Sequence, residues 1–257
     1  MFPSDRVLVV SVVSHGHGPL VQRLLWQLAQ YSATTVARVL LTLNIPEPEP
    51  IAPPEGWPFV LQILHNPQPI GFGGNHNRAL QQVAEPFVCI LNPDVELIGP
   101  KDPFAALLDT AAQAGTGCAY PVQLNAQGQV QDSERALPSP AALWRRRVLR
   151  QQEQRVDWVN GACMVLPTPV WQQLGGFDSR YFMYCEDVDL CLRLRLAGLA
   201  LLRAPVAVRH AGQRASQRHW LHTWWHIRSL LRLWGSDSYR ILRRQPGTAH
   251  TATLTAP

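Results

Sequence analysis

The sequence lacks the features that mark membrane-spanning, secreted and disulfide-rich proteins. No apolar run reaches the roughly 18 uncharged residues that a spanning helix needs. The N-terminus has no signal-peptide pattern, and the short apolar run Val7–Val13 predicts a buried strand instead. The cysteines are odd in number and form no CxxC pair, which argues against a disulfide framework or a zinc finger. We therefore expect a cytoplasmic protein with small buried thiols at Cys89, Cys118, Cys163, Cys185 and Cys191.

Lysine is nearly absent, and acidic residues are scarce towards the C-terminus. Lys101 is the only lysine, and from Arg193 onwards the chain has eleven arginines and one acid, Asp237. One interpretation is an arginine-favouring codon usage, which the abundance of alanine and proline favours. A one-sided basic region can also attract phosphates or an anionic membrane surface, so both interpretations stay open.

The apolar segments of the first half predict alternating strands and helices. With 257 residues, 46% of them hydrophobic, the chain can form one large α/β domain. The order of the segments predicts a doubly wound sheet. The predicted strands are Arg6–Ser14, Val36–Asn44, Phe59–His65 and Phe87–Leu91, the first helix carries Leu20, Leu24, Leu25 and Leu28, and Gly71–Asn77 is a loop that opens a helix near Arg78–Val83.

The second half is less regular, and its predicted elements lead to a second group of polar residues. A long amphipathic helix is expected at its end, followed by a disordered tail over residues 245–257. The predicted elements are a strand Trp158–Pro167, a short helix Thr168–Leu174, a helix Asp187–Ala197, a strand Leu199–Arg209 that leads to His210, and the amphipathic helix Gln217–Trp234.

Polar residues follow several of the predicted strands at the point where each strand ends. His15, Asn44, the Gly71 loop and Asn92-Pro93-Asp94 all have this position. Ligands of doubly wound sheets gather at the carboxyl ends of the strands, so we expect these residues to meet at one edge. A carboxylate there, with a neighbouring Asn, suits Mg²⁺ or Mn²⁺ held mainly by phosphate oxygens. Taken alone, an Asn-Pro-Asp sequence is more often a plain turn.

Three acids, Glu186, Asp187 and Asp189, lie within four residues at the start of a predicted helix. Helix capping is the simplest interpretation, because a helix N-terminus stabilises negative charge. The aromatic residues that precede the acids indicate a half-buried pocket instead, in which a carboxylate can act as a general base. Both interpretations stay open at this point.

Four blocks of sequence stand in a fixed order along the chain. The blocks are Asn66-Pro67 through Gly71-Phe72-Gly73-Gly74-Asn75-His76-Asn77, then Leu91-Asn92-Pro93-Asp94, then Gly161-Ala162-Cys163-Met164, and then Gly175-Gly176-Phe177-Asp178 through Glu186-Asp187-Val188-Asp189-Leu190-Cys191-Leu192-Arg193. Together they resemble family 2 glycosyltransferases of the GT-A fold, in particular their rhamnosyltransferase-like branch. The resemblance covers about residues 7–235.

The resemblance implies a role for each matching position. Asp94 stands in the family's DxD motif and would hold Mg²⁺ or Mn²⁺, with His210 completing the metal site. Asp187 of the Glu186-Asp187 pair would remove the proton of the acceptor hydroxyl. Contacts with the donor or acceptor are expected from Ser14, His15, Asn44, Gly71, Gly73, Gly74, Asn75, Asn77, Asn92, Gly161 and Ala162.

The chain departs from the family pattern after its first two strands. The usual Asp-Asn pair after the second strand, whose Asp reads the nucleobase, is Leu43-Asn44 here. The usual Thr-Tyr-Asn after the first strand is Ser14-His15-Gly16. The identity of the nucleotide is therefore open.

The resemblance further implies an α/β fold of GT-A type: a doubly wound mixed sheet with a Rossmann-like nucleotide-binding half (about 1–120), an acceptor half (about 121–216) and a C-terminal helical segment (about 217–244). It implies an inverting transfer, with rhamnose a candidate sugar, from a nucleotide-diphosphate donor to a hydroxyl of a glycan or lipid-linked glycan in cell-surface polysaccharide biosynthesis. No nucleic acid is expected as a partner, and peripheral contact with the cytoplasmic face of the inner membrane is open.

Other functions fit the sequence less well. A dinucleotide-binding site would place its glycines after the first strand, unlike the Gly71 loop. A nucleotidyltransferase would need a basic Gly-rich loop near the N-terminus, and Ser14–Pro19 contains neither Lys nor Arg. His219, His222 and His226 have a spacing that could hold zinc, but an amphipathic helix explains them better. A catalytically inactive nucleotide-sugar-binding subunit remains the alternative from another class.

Overall fold

A computed structural model describes residues 6–139, 156–210 and 220–244 of the chain. Within these ranges eight strands form one mixed sheet, and two short strands pair separately. The strands are β1 (Leu8–Ser14), β2 (Val36–Leu43), β3 (Val60–His65), β4 (Phe87–Leu91), β5 (Val95–Leu97), β6 (Thr116–Leu124), β7 (Glu134–Arg135), β8 (Trp158–Val159), β9 (Cys163–Pro167) and β10 (Ala200–His210). The helices are α1 (Gly18–Tyr31), α2 (Phe72–Ala79), α3 (Pro103–Ala111), α4 (Thr168–Leu174), α5 (Glu186–Leu196), α6 (Trp220–Gly235) and α7 (Asp237–Arg244).

The first half of the large sheet is parallel and deeply buried. Its strands lie in the order β3-β2-β1-β4. Their valine- and leucine-rich sequences suit strands that are covered on both faces, and β1 is buried along nearly its whole length. All four strands end at the same edge of the sheet. The doubly wound arrangement predicted from the order of the segments is confirmed.

The second half of the sheet changes direction and brings a distant strand back to the same edge. β9 runs antiparallel between β4 and β6, and β10 runs parallel to β6 and antiparallel to β5. In the last pairing His210 lies opposite Val95. The residue that ends β10 therefore comes beside the turn that follows β4.

Helices cover both faces of the sheet. Leu24 and Leu28 of α1 and Phe104 of α3 pack in the core on one face. Leu190 of α5 and Leu233 of α6 pack in the core on the other. All five cysteines are buried free thiols, as predicted from their number and spacing.

The Gly71 segment differs from its prediction. Gly71–Asn77 was expected as a loop that opens a helix near Arg78–Val83, whereas α2 already covers Phe72–Ala79. Gly73 and Gly74 are poor helix formers, so local propensity argues against this helix. Close contacts with Phe177 and Phe182, about a hundred residues away, override that propensity.

The predicted strand Trp158–Pro167 is also wrong as a single element. The chain forms β8, leaves the extended conformation at residues 160–162, and resumes as β9. β8 pairs with β7, whereas β9 belongs to the large sheet. The interruption places Gly161 at the start of helix α5, where its backbone N–H donates a hydrogen bond to Asp187.

Two helices follow the sheet at the C-terminus. α6 begins at Trp220 in the described part of the chain and ends at Gly235, one residue beyond the predicted end. Residues 217–219 of the predicted helix, with His219, and the tail 245–257 lie outside the described residues. Among the residues described, no helix combines the length and apolar character needed to cross a bilayer.

Candidate active site

Three of the predicted donor-binding residues lie at the edge where β1, β2 and β4 end. Ser14 ends β1, Asn44 follows β2 and Asn92 follows β4. The backbone N–H of Asn44 donates to the carbonyl of Ser14 over 2.9 Å. Ser14 and Asn44 are buried, and Asn92 is partly buried. The parallel strands therefore bring together residues that are far apart in the sequence.

The side chain of Asn44 holds the loop that precedes α2 through hydrogen bonds. Its Oδ1 accepts hydrogen bonds from the backbone N–H of Ile70 (2.9 Å) and from Asn66 Nδ2 (2.8 Å). Its Nδ2 donates to the carbonyl of Ile70 over 3.0 Å and lies 3.1 Å from His15 Nδ1. The side chain thus sets the shape of this loop, while His15 is exposed at the mouth of the site.

Asn75 continues this network inside the protein. The side chain is fully buried, and its Oδ1 accepts from Asn66 Nδ2 over 2.6 Å. Its Nδ2 donates to the carbonyl of Gly71 over 3.1 Å. Arg78 donates to Asn66 Oδ1 over 2.5 Å, so its guanidinium is the last member of this network of amide side chains. Asn66 and Arg78 were not predicted as members of the site. Asn66 stands in the first block of the resemblance without a role assigned to it, and Arg78 stands in no distinctive pattern.

Two glycines of this segment allow close packing against Phe177 and Phe182. A Cβ on Gly71 would collide with the backbone of Phe182, whose carbonyl accepts the N–H of Phe72 over 2.9 Å. A Cβ on Gly73 would lie 2.7 Å from Cβ of Phe177. Gly74 has room, since its nearest neighbour would be Cδ1 of Ile70 at 3.7 Å. The glycines at 71 and 73 thus serve the contact between this segment and residues 177–182.

Asn77 makes the same connection through its side chain. Its Nδ2 donates to the carbonyl of Phe177 over 2.7 Å, and its Oδ1 accepts the N–H of Phe177 over 2.9 Å. Both polar atoms of the amide therefore bind protein backbone. This observation gives Asn77 a structural role, and a contact with the donor stays a prediction.

Asp94 and His210 meet at the carboxyl edge of the sheet. His210 Nε2 lies 3.4 Å from Asp94 Oδ1, and both side chains are largely buried. Two more polar atoms, Nδ1 of His210 and Oδ1 of Asn92, are buried with no hydrogen-bond partner among the described residues. The predicted metal-binding pair is thus brought together by the pairing of β10 with β5.

These residues fit a divalent cation that is held mainly by its substrate. No group of three or more His, Cys, Asp or Glu side chains in the described ranges has metal-site geometry. Mg²⁺ in nucleotide enzymes commonly takes one or two protein ligands, with phosphate and water oxygens completing the shell. One carboxylate and one imidazole, beside an unpaired amide oxygen, suit a shared site of this kind.

Asp187 is held by two backbone N–H groups near the start of α5. Its Oδ2 accepts from Gly161 over 3.1 Å, and its Oδ1 accepts from Val188 over 2.8 Å. Next to Gly161, the carbonyl of Ala162 accepts the N–H of Asn92 over 2.8 Å. Residues 161 and 162 therefore connect the predicted base with the predicted metal-binding turn.

The two residues that precede the acids have an unusual backbone. Tyr184 and Cys185 have φ angles of 70° and 65°, in the left-handed region that non-glycine residues rarely adopt. Cys185 is the N-cap of α5, and its side chain makes no capping hydrogen bond. Strain of this kind persists only where its surroundings enforce it, and it often marks functional segments.

Burial changes the acidity of both carboxyl groups. It raises the pKa of Glu186 to about 8, and the neighbouring charge of Asp187 adds to this shift. Burial also raises the pKa of Asp187, against the hydrogen bonds from Val188 and Gly161. Glu186 Oε2 is buried with no hydrogen-bond partner among the described residues. A raised pKa makes a carboxylate a stronger base, and the backbone donors keep Asp187 oriented.

Comparison with known proteins agrees with this geometry. A family model described as glycosyltransferase-like family 2 matches residues 55–234, which is more than half of the chain. The chain belongs to this family. An N-acetylglucosaminyl-diphospho-decaprenol L-rhamnosyltransferase of Mycobacterium tuberculosis is 31% identical over 231 residues, which cover 78% of this chain and 74% of the relative. The rhamnosyltransferase WbbL of Escherichia coli is 40% identical over 79 residues, 30% of each chain.

Solved structures support the fold of this family 2 glycosyltransferase. The mannosyltransferase PcManGT of Pyrobaculum calidifontis, in complex with GDP-Man and Mn²⁺, superposes with a TM-score of 0.61 at 17% identity. The match covers 96% of this chain and 67% of that one. At this identity the likeness shows the GT-A fold, which confirms the fold class expected from the sequence.

Two further polar features of this glycosyltransferase were not anticipated. His76 of α2 is fully buried, its Nδ1 lies 2.8 Å from Ser11 Oγ, and burial lowers its pKa to about 3. The imidazole is therefore neutral. Tyr184 reaches α6, where its hydroxyl lies 2.9 Å from His222 Nδ1 and its ring packs edge-on against His226. The aromatic residues before the acids were the available signal for this second contact.

Proposed function

We propose that this protein is a metal-dependent, inverting glycosyltransferase that uses a nucleotide-diphosphate sugar. The observation that carries the proposal is the connection through residues 161 and 162, which holds Asp187 and the Asn92 turn in one fixed relation. A single displacement requires a base on one side of the sugar and a site for the leaving diphosphate on the opposite side.

In this reaction Asp187 accepts the proton of the acceptor hydroxyl while the oxygen bonds to the anomeric carbon. The bond from that carbon to the diphosphate breaks at the same time, and the nucleoside diphosphate leaves on the opposite face. Attack from behind inverts the anomeric configuration. Asp94 and His210 would hold Mg²⁺ or Mn²⁺, which when bound neutralises charge on the leaving group.

The acceptor that we infer is a sugar linked to a lipid diphosphate. The relative from Mycobacterium tuberculosis is named for N-acetylglucosaminyl-diphospho-decaprenol as its acceptor and L-rhamnose as its sugar. We extend both to this chain as candidates, with dTDP-rhamnose as the first donor to test and UDP-sugars as the second. The same proposal includes peripheral contact with the cytoplasmic face of the inner membrane, and a single domain divided near residues 120 and 216.

The test is release of nucleoside diphosphate by the full-length protein with Mn²⁺ or Mg²⁺. dTDP-rhamnose and UDP-sugars would each be incubated with and without a prenyl-diphosphate-linked N-acetylglucosamine. We expect acceptor-dependent release with one donor. The one-bond C1–H1 coupling constant of the product should show that the anomeric configuration is inverted. Binding of a nucleotide sugar without release under either condition would instead identify an inactive binding subunit.

A further inference from the structure

A cavity of about 270 Å³ lies between helix α6 and the loop that leads to Asp187. Arg180 and Phe182 line it from the loop, and Trp225, Arg228 and Arg232 line it from α6. Three guanidinium groups thus share one small concave surface. No part of the mechanism proposed above uses this cavity.

The cavity has an excess of positive charge. Arg180 is neutralised by Asp178, to which it donates from Nε over 2.9 Å and from one Nη over 2.6 Å. Arg228 and Arg232 lie one helical turn apart, and within the described residues neither forms an ion pair. Two guanidinium groups are therefore available to an anion. A diphosphate that links a lipid to a sugar carries two negative charges, and arginine binds phosphate oxygens in pairs.

An apolar stripe runs beside this charged cavity on the same helix. Trp224, Ile227 and Leu231 are 57%, 47% and 61% exposed. On a helical wheel, at 100° per residue, the stripe lies next to the flank that carries Arg228 and Arg232. A ligand with a diphosphate head and a hydrocarbon chain would fit both surfaces at once.

The cavity is joined to the acceptor side of the active site. The ring of Phe182 packs on Trp225 with centroids 4.9 Å apart, and its carbonyl holds Phe72 of the donor segment. Ser229 Oγ donates to the carbonyl of Met183 over 2.8 Å, which fastens the loop to α6. The loop reaches Asp187 five residues after Phe182. In a lipid-diphosphate-linked sugar the diphosphate is bonded directly to the sugar, so the two groups must bind close together.

We propose that this cavity binds the diphosphate of a prenyl-diphosphate-linked acceptor through Arg228 and Arg232, with the first prenyl units against Trp224, Ile227 and Leu231. The proposal rests on the proposed function for its acceptor class. In this proposal the exposed stripe of α6 binds the lipid chain of the acceptor itself. General adsorption to an anionic membrane is the rival outcome.

The test is calorimetric binding of farnesyl diphosphate to the full-length protein without vesicles. The paired variant Arg228→Gln with Arg232→Gln should weaken binding at least about 10-fold, because each lost charge-assisted hydrogen bond is costly. The matched control is Arg243→Gln with Arg244→Gln, which removes the same charge from exposed positions on α7. It should leave the dissociation constant within about twofold, since neither arginine lines the cavity and exposed charges are screened by salt. Farnesol and inorganic pyrophosphate should each bind more weakly than farnesyl diphosphate.

Several results would overturn the proposal. Farnesyl diphosphate could bind the cavity variant as tightly as the wild type. It could be displaced by nucleoside diphosphate with Mn²⁺, which would place its diphosphate in the donor site. The variant could also lose binding to phosphatidylglycerol vesicles while keeping farnesyl diphosphate, which would make this surface a membrane contact.

A transfer assay separates this proposal from the proposed function. If the enzyme uses the lipid-linked acceptor, the cavity variant should raise the acceptor KM at least about 10-fold and leave the donor KM unchanged. An absence of transfer by the wild type would refute the proposed acceptor. The binding experiment would still decide whether the cavity takes a prenyl diphosphate.

Discussion

The backbone N–H of Gly161 lies 3.1 Å from Asp187 Oδ2 and donates a hydrogen bond to it. This contact joins the break between β8 and β9 to the first turn of α5. The adjacent residue, Ala162, accepts from the turn that carries Asp94. The orientation of the proposed base is therefore fixed by the same segment that fixes the proposed metal-binding turn.

Asp187→Asn should lower kcat at least about 100-fold, because the amide has nearly the same shape but cannot accept the proton. Donor affinity should stay within about threefold, since the base acts on the acceptor. The measurement is kcat at saturating donor, with the donor Kd from calorimetry. Asn caps a helix about as well as Asp, so a near-normal kcat would support a capping role and direct attention to Glu186.

Asp94→Ala should abolish metal-dependent binding of the nucleoside diphosphate, and His210→Ala should weaken it. Changes outside the ligand shell commonly cost metal sites about 10- to 100-fold in affinity, so loss of the carboxylate should cost at least about 100-fold. Titration of Mn²⁺ with the nucleoside diphosphate present measures this. Glu96→Gln is the matched control, because Glu96 lies two residues away and pairs with Arg209. An Asp94 variant with unchanged metal-dependent turnover would refute the assignment.

Glu186→Gln should stabilise the protein at pH 8 and above. The pKa of Glu186 is raised to about 8 in the folded state, chiefly by burial, against about 4.3 in an unfolded chain. Between these values the folded state keeps a proton that the unfolded state releases, so stability falls as the pH rises through this window. The gain from Gln should be on the order of 5 kcal/mol above pH 8 and should vanish near pH 4.

Urea unfolding of the wild type and Glu186→Gln from pH 4 to pH 9 tests this expectation. The control is Glu55→Gln, which changes an exposed carboxylate and should keep the wild-type slope. Parallel stability curves for the wild type and Glu186→Gln would show that Glu186 is ionised in the folded protein.

Gly71→Ala should lower the melting temperature, and Gly74→Ala should not. A methyl group at residue 71 would meet the backbone of Phe182, and overpacking of this kind costs about 1–3 kcal/mol. At residue 74 there is room, and alanine favours the helix by up to about 1 kcal/mol. Calorimetric melting of the two variants checks the opposite signs. Equal losses in both would mean that helix α2, rather than its contact with Phe182, limits stability.

The sequence was sufficient to predict the strands that carry the site. Segments such as Val36–Leu43 are long, apolar and β-branched, and they form central strands largely regardless of their neighbours. The position of Asp94 at the carboxyl edge of the sheet followed from the rule that ligand-binding loops lie where parallel strands end. The place of His210 beside it was implied by the resemblance to family 2 glycosyltransferases. The pairing of β10 with β5, which brings the two within 3.4 Å, was not visible in either segment.

The remaining parts depend on contacts between distant residues. Helix α2 contains two adjacent glycines, and its conformation follows from Phe177 and Phe182, about a hundred residues away. The left-handed backbone at Tyr184 and Cys185 likewise has no local signal, because neither residue type favours it. Which face of α6 is exposed could not be predicted from the sequence, because it depends on the burial of Ser229 and Leu233.

The hydrogen bond from Phe72 to the carbonyl of Phe182 connects the segment proposed to contact the donor with the loop that leads to Asp187. A nucleotide sugar that binds the first segment, as proposed, would therefore also order the second. We therefore expect a compulsory order of substrate binding, with the nucleotide sugar first and its nucleoside diphosphate last to leave. Product inhibition by the nucleoside diphosphate would then be competitive against the donor and non-competitive against the acceptor.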